Sequence, residues 1–173
     1  KAGARFDWDK LNWLNAQVLH GLTPQQLLDA AAPLWRAKGW GLPDDPSWGL
    51  ALCELLGPSL TLLEDAVDQA QPFFACPELQ EDGLKQLNVD GAGSALNQLV
   101  ELLEDDPWDG TDSARAQSML ADAATRAGVK KGVLMKSLRA ALLGRLQGPD
   151  LITTWSLLAR IRQDLPRLKR CFS

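Results

Sequence analysis

Ala127-Gly-Val-Lys-Lys-Gly-Val-Leu-Met-Lys-Ser-Leu-Arg-Ala-Ala-Leu-Leu-Gly-Arg-Leu-Gln-Gly-Pro-Asp-Leu151 combines helical periodicity, basic charge and a glycine stop in one run. Val133, Leu134, Leu138, Ala141 and Leu142 recur at helical spacing and predict one buried face. Lys130, Lys131, Lys136, Arg139 and Arg145 add positive charge around it. Gly144 suits a helix C-terminus, and Pro149 suits the first position of a following helix. The prediction is a basic helix, a stop, a loop over 145–148 and a second helix. A loop held between two rigid ends in positive potential is a seat for single-stranded nucleic acid, whose bases stack on planar groups and whose phosphates seek Lys and Arg. The plainer reading is a helical hairpin with a solvated basic face.

Working outward, the charge is uneven. The 173 residues carry a net −4. Residues 1–122 hold 7 Lys and Arg against 20 Asp and Glu, a net −13, whereas residues 123–173 hold 11 against 2, a net +9. An acidic body with a basic end points to an anionic partner met by one face, most commonly nucleic acid. The acidic remainder confines binding to that face. No apolar run reaches the ~18 residues of a membrane span. Residues 1–6 are not the apolar core of a secretory signal. The chain starts at Lys1, so a fragment of something longer is expected. Cys53, Cys76 and Cys171 are far apart in sequence and odd in number, which gives no disulfide framework and no metal pair. Reduced thiols in the cytoplasm are the expectation. Nothing demands an oligomer, so a monomer is expected.

Helical signals fill the rest. Asp7 caps a helix over 8–20 with Leu11, Leu14 and Val18 inward, and Trp13 reads as core or groove-lining. Thr23-Pro24-Gln25-Gln26 is a capping box with proline at the first position, opening a helix to about residue 38 that Pro33 should kink or interrupt. Further helices are expected over 47–56, over 60–70 with Ser59 as cap, over 78–87, over 94–104, from Thr111 or Asp112 to Gly128, and over 150–163. Gln71-Pro-Phe-Phe-Ala-Cys-Pro77 reads as a hinge with an aromatic plug, which places a boundary between a subdomain of 1–76 and one of 77–173. No segment alternates with period two. The expected architecture is all-α, two stacked helical bundles.

Catalysis finds little material. There is no Gly-x-Ser-x-Gly, no phosphate loop and no His-Glu-x-x-His, so no catalytic residue is assigned. His20, the one histidine, sits at a helix end and reads as structural. Glu104-Asp105-Asp106 and Asp44-Asp45 lack a calcium-loop pattern and read as solvated turns, leaving no metal site. A helical protein-interaction domain whose basic tail meets an acidic partner is the alternative. A DNA-binding helix-turn-helix over 113–143 lacks a convincing recognition helix.

The run Lys131-Gly132, Leu138-Arg139-Ala140-Ala141-Leu142, Gly144, Gly148-Pro149 and Leu151 resembles the C-terminal part of bacterial-type glutamyl-tRNA synthetases. Phe6-Asp7, Lys10-Leu11, Trp13 and Asn15 are similar to that family's first helix after its catalytic half. The two blocks lie at opposite ends in family order, and within the family the chain looks most similar to the cyanobacterial members. The resemblance implies an α-helix cage that binds the anticodon of glutamate tRNA. It implies that this chain is the anticodon-binding part of an aminoacyl-tRNA synthetase, a ligase of protein biosynthesis that attaches glutamate using ATP and Mg2+ held by an upstream catalytic half. No cofactor is implied for this part.

By the family pattern Arg139 and Leu151 sandwich the first anticodon base. Gly148 and Pro149 line the pocket of the second, and Lys10 and Trp13 meet the D arm at the inner corner of the tRNA. Lys130 is grouped with the tRNA-binding residues for its charge. Ser59, just after Gly57-Pro58, stands where strict readers of the third base carry Arg. The implication is a non-discriminating parent that also charges glutamine tRNA. Ser137, Leu143 and Val18 replace the family's Pro, Thr and Tyr, and Gly148 replaces a Thr found in some members, leaving backbone contacts there.

Overall fold

The computed structural model describes residues 6–172; residues 1–5, most of the segment read for a signal, and Ser173 lie outside them. Every regular element among the described residues is helical: α1 (Trp8–His20), α2 (Pro24–Ala37), α3 (Pro46–Leu56), α4 (Asp65–Phe74), α5 (Glu81–Leu87), α6 (Ala92–Asp105), α7 (Ser113–Ala127), α8 (Lys131–Leu143), α9 (Leu151–Arg160) and α10 (Asp164–Lys169), with 3-10 turns at Gly57–Ser59 and Arg170–Phe172. The fold is all-α. The chain divides into two compact units, one ending at Phe74 and one starting at Ala75.

In the first unit the caps form where the side chains predict them. Asp7 accepts the Lys10 N–H at 3.1 Å. Thr23 and Gln26 close a reciprocal box at 3.2 and 2.9 Å. α2 runs through Pro33. The missing N–H removes one rung, but Trp35 anchors the last turn: it is 1% exposed, and its indole N–H donates to the Ala66 carbonyl at 3.0 Å. Trp35, Trp40 and Trp48 surround the Phe74 ring with centroids 5.2, 5.3 and 5.5 Å away.

That cage accounts for a correction. The expected 60–70 helix spans Asp65–Phe74 instead. The Asp65 carboxylate accepts the N–H groups of Thr61 and Leu62 at 3.0 and 2.8 Å, which makes 61–64 a turn. Ser59 therefore closes a 3-10 turn and caps no α-helix. Packing of Phe74 carries α4 through Pro72, so the segment read as a hinge is helical up to Phe74. A second correction concerns α1, which buries none of its residues. Leu14 and Val18 are 45% and 67% exposed rather than inward, and Trp13, 60% exposed, is not core. Periodicity tells which residues share a face; it does not supply a neighbour to cover it. His20 is structural, as read: its Nε2 lies 2.9 Å from the Leu60 carbonyl.

In the second unit α6 packs on α7, and both contact α8; α5 and α10 also pack on α8. Leu96, Leu99, Leu120, Leu134, Leu138, Leu142 and Leu158 are wholly buried. Each such side chain contributes about 1.5–3 kcal/mol by leaving water. Trp155 meets Trp108 edge-on at 4.6 Å and donates to Asp164 at 3.0 Å.

The end of α8 is set by contact between backbones. Gly144 has φ +75°, and its carbonyl accepts the Gln80 N–H at 2.7 Å. A Cβ there would lie 2.1 Å from the Glu78 oxygen, and one on Gly83 would lie 2.4 Å from the Gly144 oxygen. Only two glycines allow this approach. Arg167 and Arg170 donate to the Leu142 and Ala141 carbonyls at 2.8 and 3.1 Å, satisfying acceptors that the last helical turn leaves open.

Candidate nucleic-acid interface

Gly132, Met135, Lys136 and Arg139 follow one another at i, i+3, i+4 and i+7, so they form one stripe along α8. The stripe is one wall of an open groove of about 540 Å³; Leu146, Gln147 and Leu151 form the other. The opposite face of α8 is in the core. Two positive charges and no carboxylate are among these lining residues.

Arg139 is half-buried, and its Nη1 donates to the Pro149 carbonyl at 2.6 Å. Burial pushes its guanidinium below the usual value, and Asp150 pulls it back up. An arginine stays charged through such a shift. The bond fixes the guanidinium plane, so a base stacking on it meets a preset surface. Lys136 is exposed and has no partner among the described residues. Leu151, at the first position of α9, is 5% exposed and presents only an apolar edge to the groove.

The loop is held from both sides. The Leu146 N–H donates to Asp82 on α5 at 3.0 Å. A Cβ on Gly148 would lie 2.6 Å from Leu143 Cδ1 and 3.3 Å from Arg139 Nη1, so a side chain there would push on the arginine.

Pro149 is not the first residue of α9. Asp150 is the cap: its carboxylate accepts the Thr153 N–H at 2.9 Å and the Thr153 hydroxyl at 2.8 Å. An acid already occupies that helix start and takes the Thr153 N–H. The Pro149 carbonyl serves Arg139 instead.

The geometry thus brings together Arg139, Gly148, Pro149 and Leu151. Lys130 stands apart, exposed just before α8 and outside the groove lining. Lys10, Trp13 and Ser59 belong to the first unit. Lys10 and Trp13 are exposed on α1. Ser59 Oγ lies 2.8 Å from the Leu56 carbonyl and 2.6 Å from the Gln69 side-chain oxygen. One hydroxyl proton serves one acceptor, so a turned Gln69 amide donating back satisfies both contacts. Either way Ser59 is engaged locally.

Of the groove residues, Leu146 and Gln147 fall in the loop over 145–148 and Gly132 in the family-like run, while Met135 has no such signal in the sequence. The α8 stripe was there to be read from its spacing, and Asp150-Leu-Ile-Thr153 carried the cap signal. Asp82, 64 residues before its partner, left no local signal.

Comparison with known proteins bears on the family and the fold. The chain is 71% identical over its whole length to a glutamate–tRNA ligase of Parasynechococcus marenigrum, of which it covers 36%. It is 66% identical over its whole length to the same-named protein of a Synechococcus strain, again covering 36%. A crystal structure of a glutamate tRNA ligase from Elizabethkingia meningosepticum shares the fold with a TM-score of 0.85 at 22% identity, over 99% of this chain and 33% of that one. The chain thus spans about a third of the length of these relatives. The family described as "Anticodon binding domain" matches residues 26–171, and the chain belongs to it.

Proposed function

We propose that this chain recognises the anticodon of glutamate tRNA as part of a glutamate–tRNA ligase. The observation that carries the reading is the α8 groove. A fixed guanidinium, an unpaired ammonium and an apolar wall lie beside a tethered loop, the combination that holds unstacked bases and their phosphates. In this reading the second unit takes the first two anticodon bases at Arg139, Leu151, Gly148 and Pro149. The first unit takes the third base near Ser59 and the inner corner of the tRNA at Lys10 and Trp13. Lys130 adds to the field that attracts the backbone.

Attachment of glutamate with ATP and Mg2+ belongs, in this reading, to the part of the relatives' length that this chain does not span. The cytoplasm is the compartment proposed, and the monomer the acting form. No helix among the described residues is long and apolar enough to cross a membrane.

Ser59 is short, uncharged and engaged with Leu56 and Gln69, which supports a relaxed reading of the third base and hence glutamine tRNA as a second ligand. Filter binding with glutamate tRNA, glutamine tRNA and duplex DNA of equal length tests both parts. Comparable retention of the two tRNAs and weak retention of DNA is expected. A strong preference for glutamate tRNA removes the relaxed reading, and equal retention of DNA removes the anticodon reading.

A further inference from the structure

The loop over 145–148 supplies Leu146 and Gln147 to the groove wall. The start of α5 lies against it. The Gln80 N–H donates to the Gly144 carbonyl at 2.7 Å, and a Cβ on Gly83 would lie 3.4 Å from the Arg145 nitrogen. Between these two contacts stands Asp82, half-buried at the second position of α5. One of its carboxylate oxygens accepts the Gly83 N–H at 2.8 Å, and the other accepts the Leu146 N–H at 3.0 Å. The first bond holds the carboxylate still; the second holds the loop. Among the described residues no other side chain accepts from the main chain of 145–148, and no cation pairs with Asp82.

On charge alone a carboxylate is out of place here. The groove beside it carries Lys136 and Arg139 and, in the reading above, takes an anionic polymer. A negative charge bonded to a residue of the groove wall repels phosphates and lowers affinity. Its hydrogen bond acts the other way. A loop already ordered in the free protein gives up less freedom when a ligand arrives. Charge and bond thus contribute with opposite signs, and substitutions can separate them.

We propose that Asp82 is a positioning residue for anticodon recognition: by holding the Leu146 N–H it sets Leu146, Gln147 and Gly148 in their binding shape before RNA arrives. The proposal rests on the anticodon reading of the α8 groove. Asp82 touches no base; it acts through the loop. Gly148 and Pro149, assigned above to the second anticodon base, follow directly on the tethered residue. Loss of the tether therefore costs base selectivity as well as affinity.

The test uses the 173-residue chain and the labelled anticodon stem-loop of glutamate tRNA, in fluorescence anisotropy at one salt concentration and below the melting range of every variant. Asp82→Ala should weaken binding about 5–10-fold, the size of one net hydrogen bond, although it removes a negative charge. Asp82→Asn keeps an acceptor oxygen and loses the charge, so it should bind at least as tightly as the parent. Glu81→Ala is the charge control: its carboxylate pairs with the exposed Lys85, and its loss should leave binding unchanged or tighter. Exchanging the second anticodon base should cost the parent chain more than it costs Asp82→Ala, a difference that lowered stability alone would not produce. A further readout needs no variant: in the free parent chain the Leu146 amide should exchange slowly with solvent, although it lies in a loop. Asp82→Ala binding as well as the parent, Asp82→Asn binding as weakly as Asp82→Ala, or a rapidly exchanging Leu146 amide would each overturn the positioning role while leaving the anticodon reading in place. A parent chain that does not bind the stem-loop would remove both.

Discussion

Gly144→Ala tests the contact that places the groove. The new methyl would sit 2.1 Å from the Glu78 oxygen and 3.1 Å from its carbon, both main-chain atoms that no rotamer change can move aside. The residue must also hold φ +75°, which costs a side-chain-bearing residue about 1–2 kcal/mol. Backing Glu78 away strains the Gln80 N–H bond to the Gly144 carbonyl, a net loss of about 1 kcal/mol. Overpacking adds about 1–3 kcal/mol. The expected destabilisation is therefore about 3–6 kcal/mol, a large share of the ~5–15 kcal/mol that holds a domain together. For a unit this small each kcal/mol lowers Tm by about 4–8 °C, so a fall of at least about 12 °C should appear by circular dichroism.

The loop over 145–148 starts at this residue, so anticodon stem-loop binding measured below the melting range should weaken as well. Gly93→Ala is the control. Nothing lies within 4 Å of its added methyl, and it sits near the start of α6, so it should leave Tm unchanged or raise it. A Gly144→Ala chain that melts and binds like the parent would refute the close approach.

Three further outcomes follow from the same geometry. Arg139→Ala removes the stacking plane and should weaken stem-loop binding by about 1–3 kcal/mol while the fold persists; normal affinity in fluorescence anisotropy would remove Arg139 from the site. Lys136→Ala should lower the salt slope of binding by about 1, as for the loss of one phosphate contact, and an unchanged slope in a salt titration would place Lys136 outside the phosphate path. Burial raises the Asp164 carboxyl above the usual carboxylate range, against the pull of its hydrogen bond from Trp155. Between the ordinary and the raised value the folded chain binds more protons than the unfolded one. That contribution to stability therefore falls as pH rises through the window, and the ionised group is a net cost at neutral pH. Asp164→Asn should be at least as stable as the parent at neutral pH, with the difference shrinking in acid; urea midpoints that differ equally at both pH values would contradict this.

How much of this was legible in the sequence depended on how local each cause is. The caps at Asp7, Thr23 and Asp112 and the stop at Gly144 act within a turn of themselves, and they stand where their residue types placed them. The start of α4 was misplaced because Asp65 reaches back to Thr61 and Leu62, and its end because three tryptophans hold Phe74. The outward Leu14 and Val18 were misread because periodicity finds a stripe without telling what lies opposite. At the groove, the charge of Lys136 and Arg139 was plain. The role of Asp82 was not, since it acts across the fold on Leu146.

An amide-resolved NMR titration of the isotope-labelled chain with the anticodon stem-loop of glutamate tRNA reads the groove residue by residue. The largest shifts should fall together on Lys136, Arg139, Gln147, Gly148 and Leu151, with the acidic α6–α7 pair nearly still. Saturable binding that leaves α8 and residues 145–151 unmoved while shifting other surfaces would contradict it.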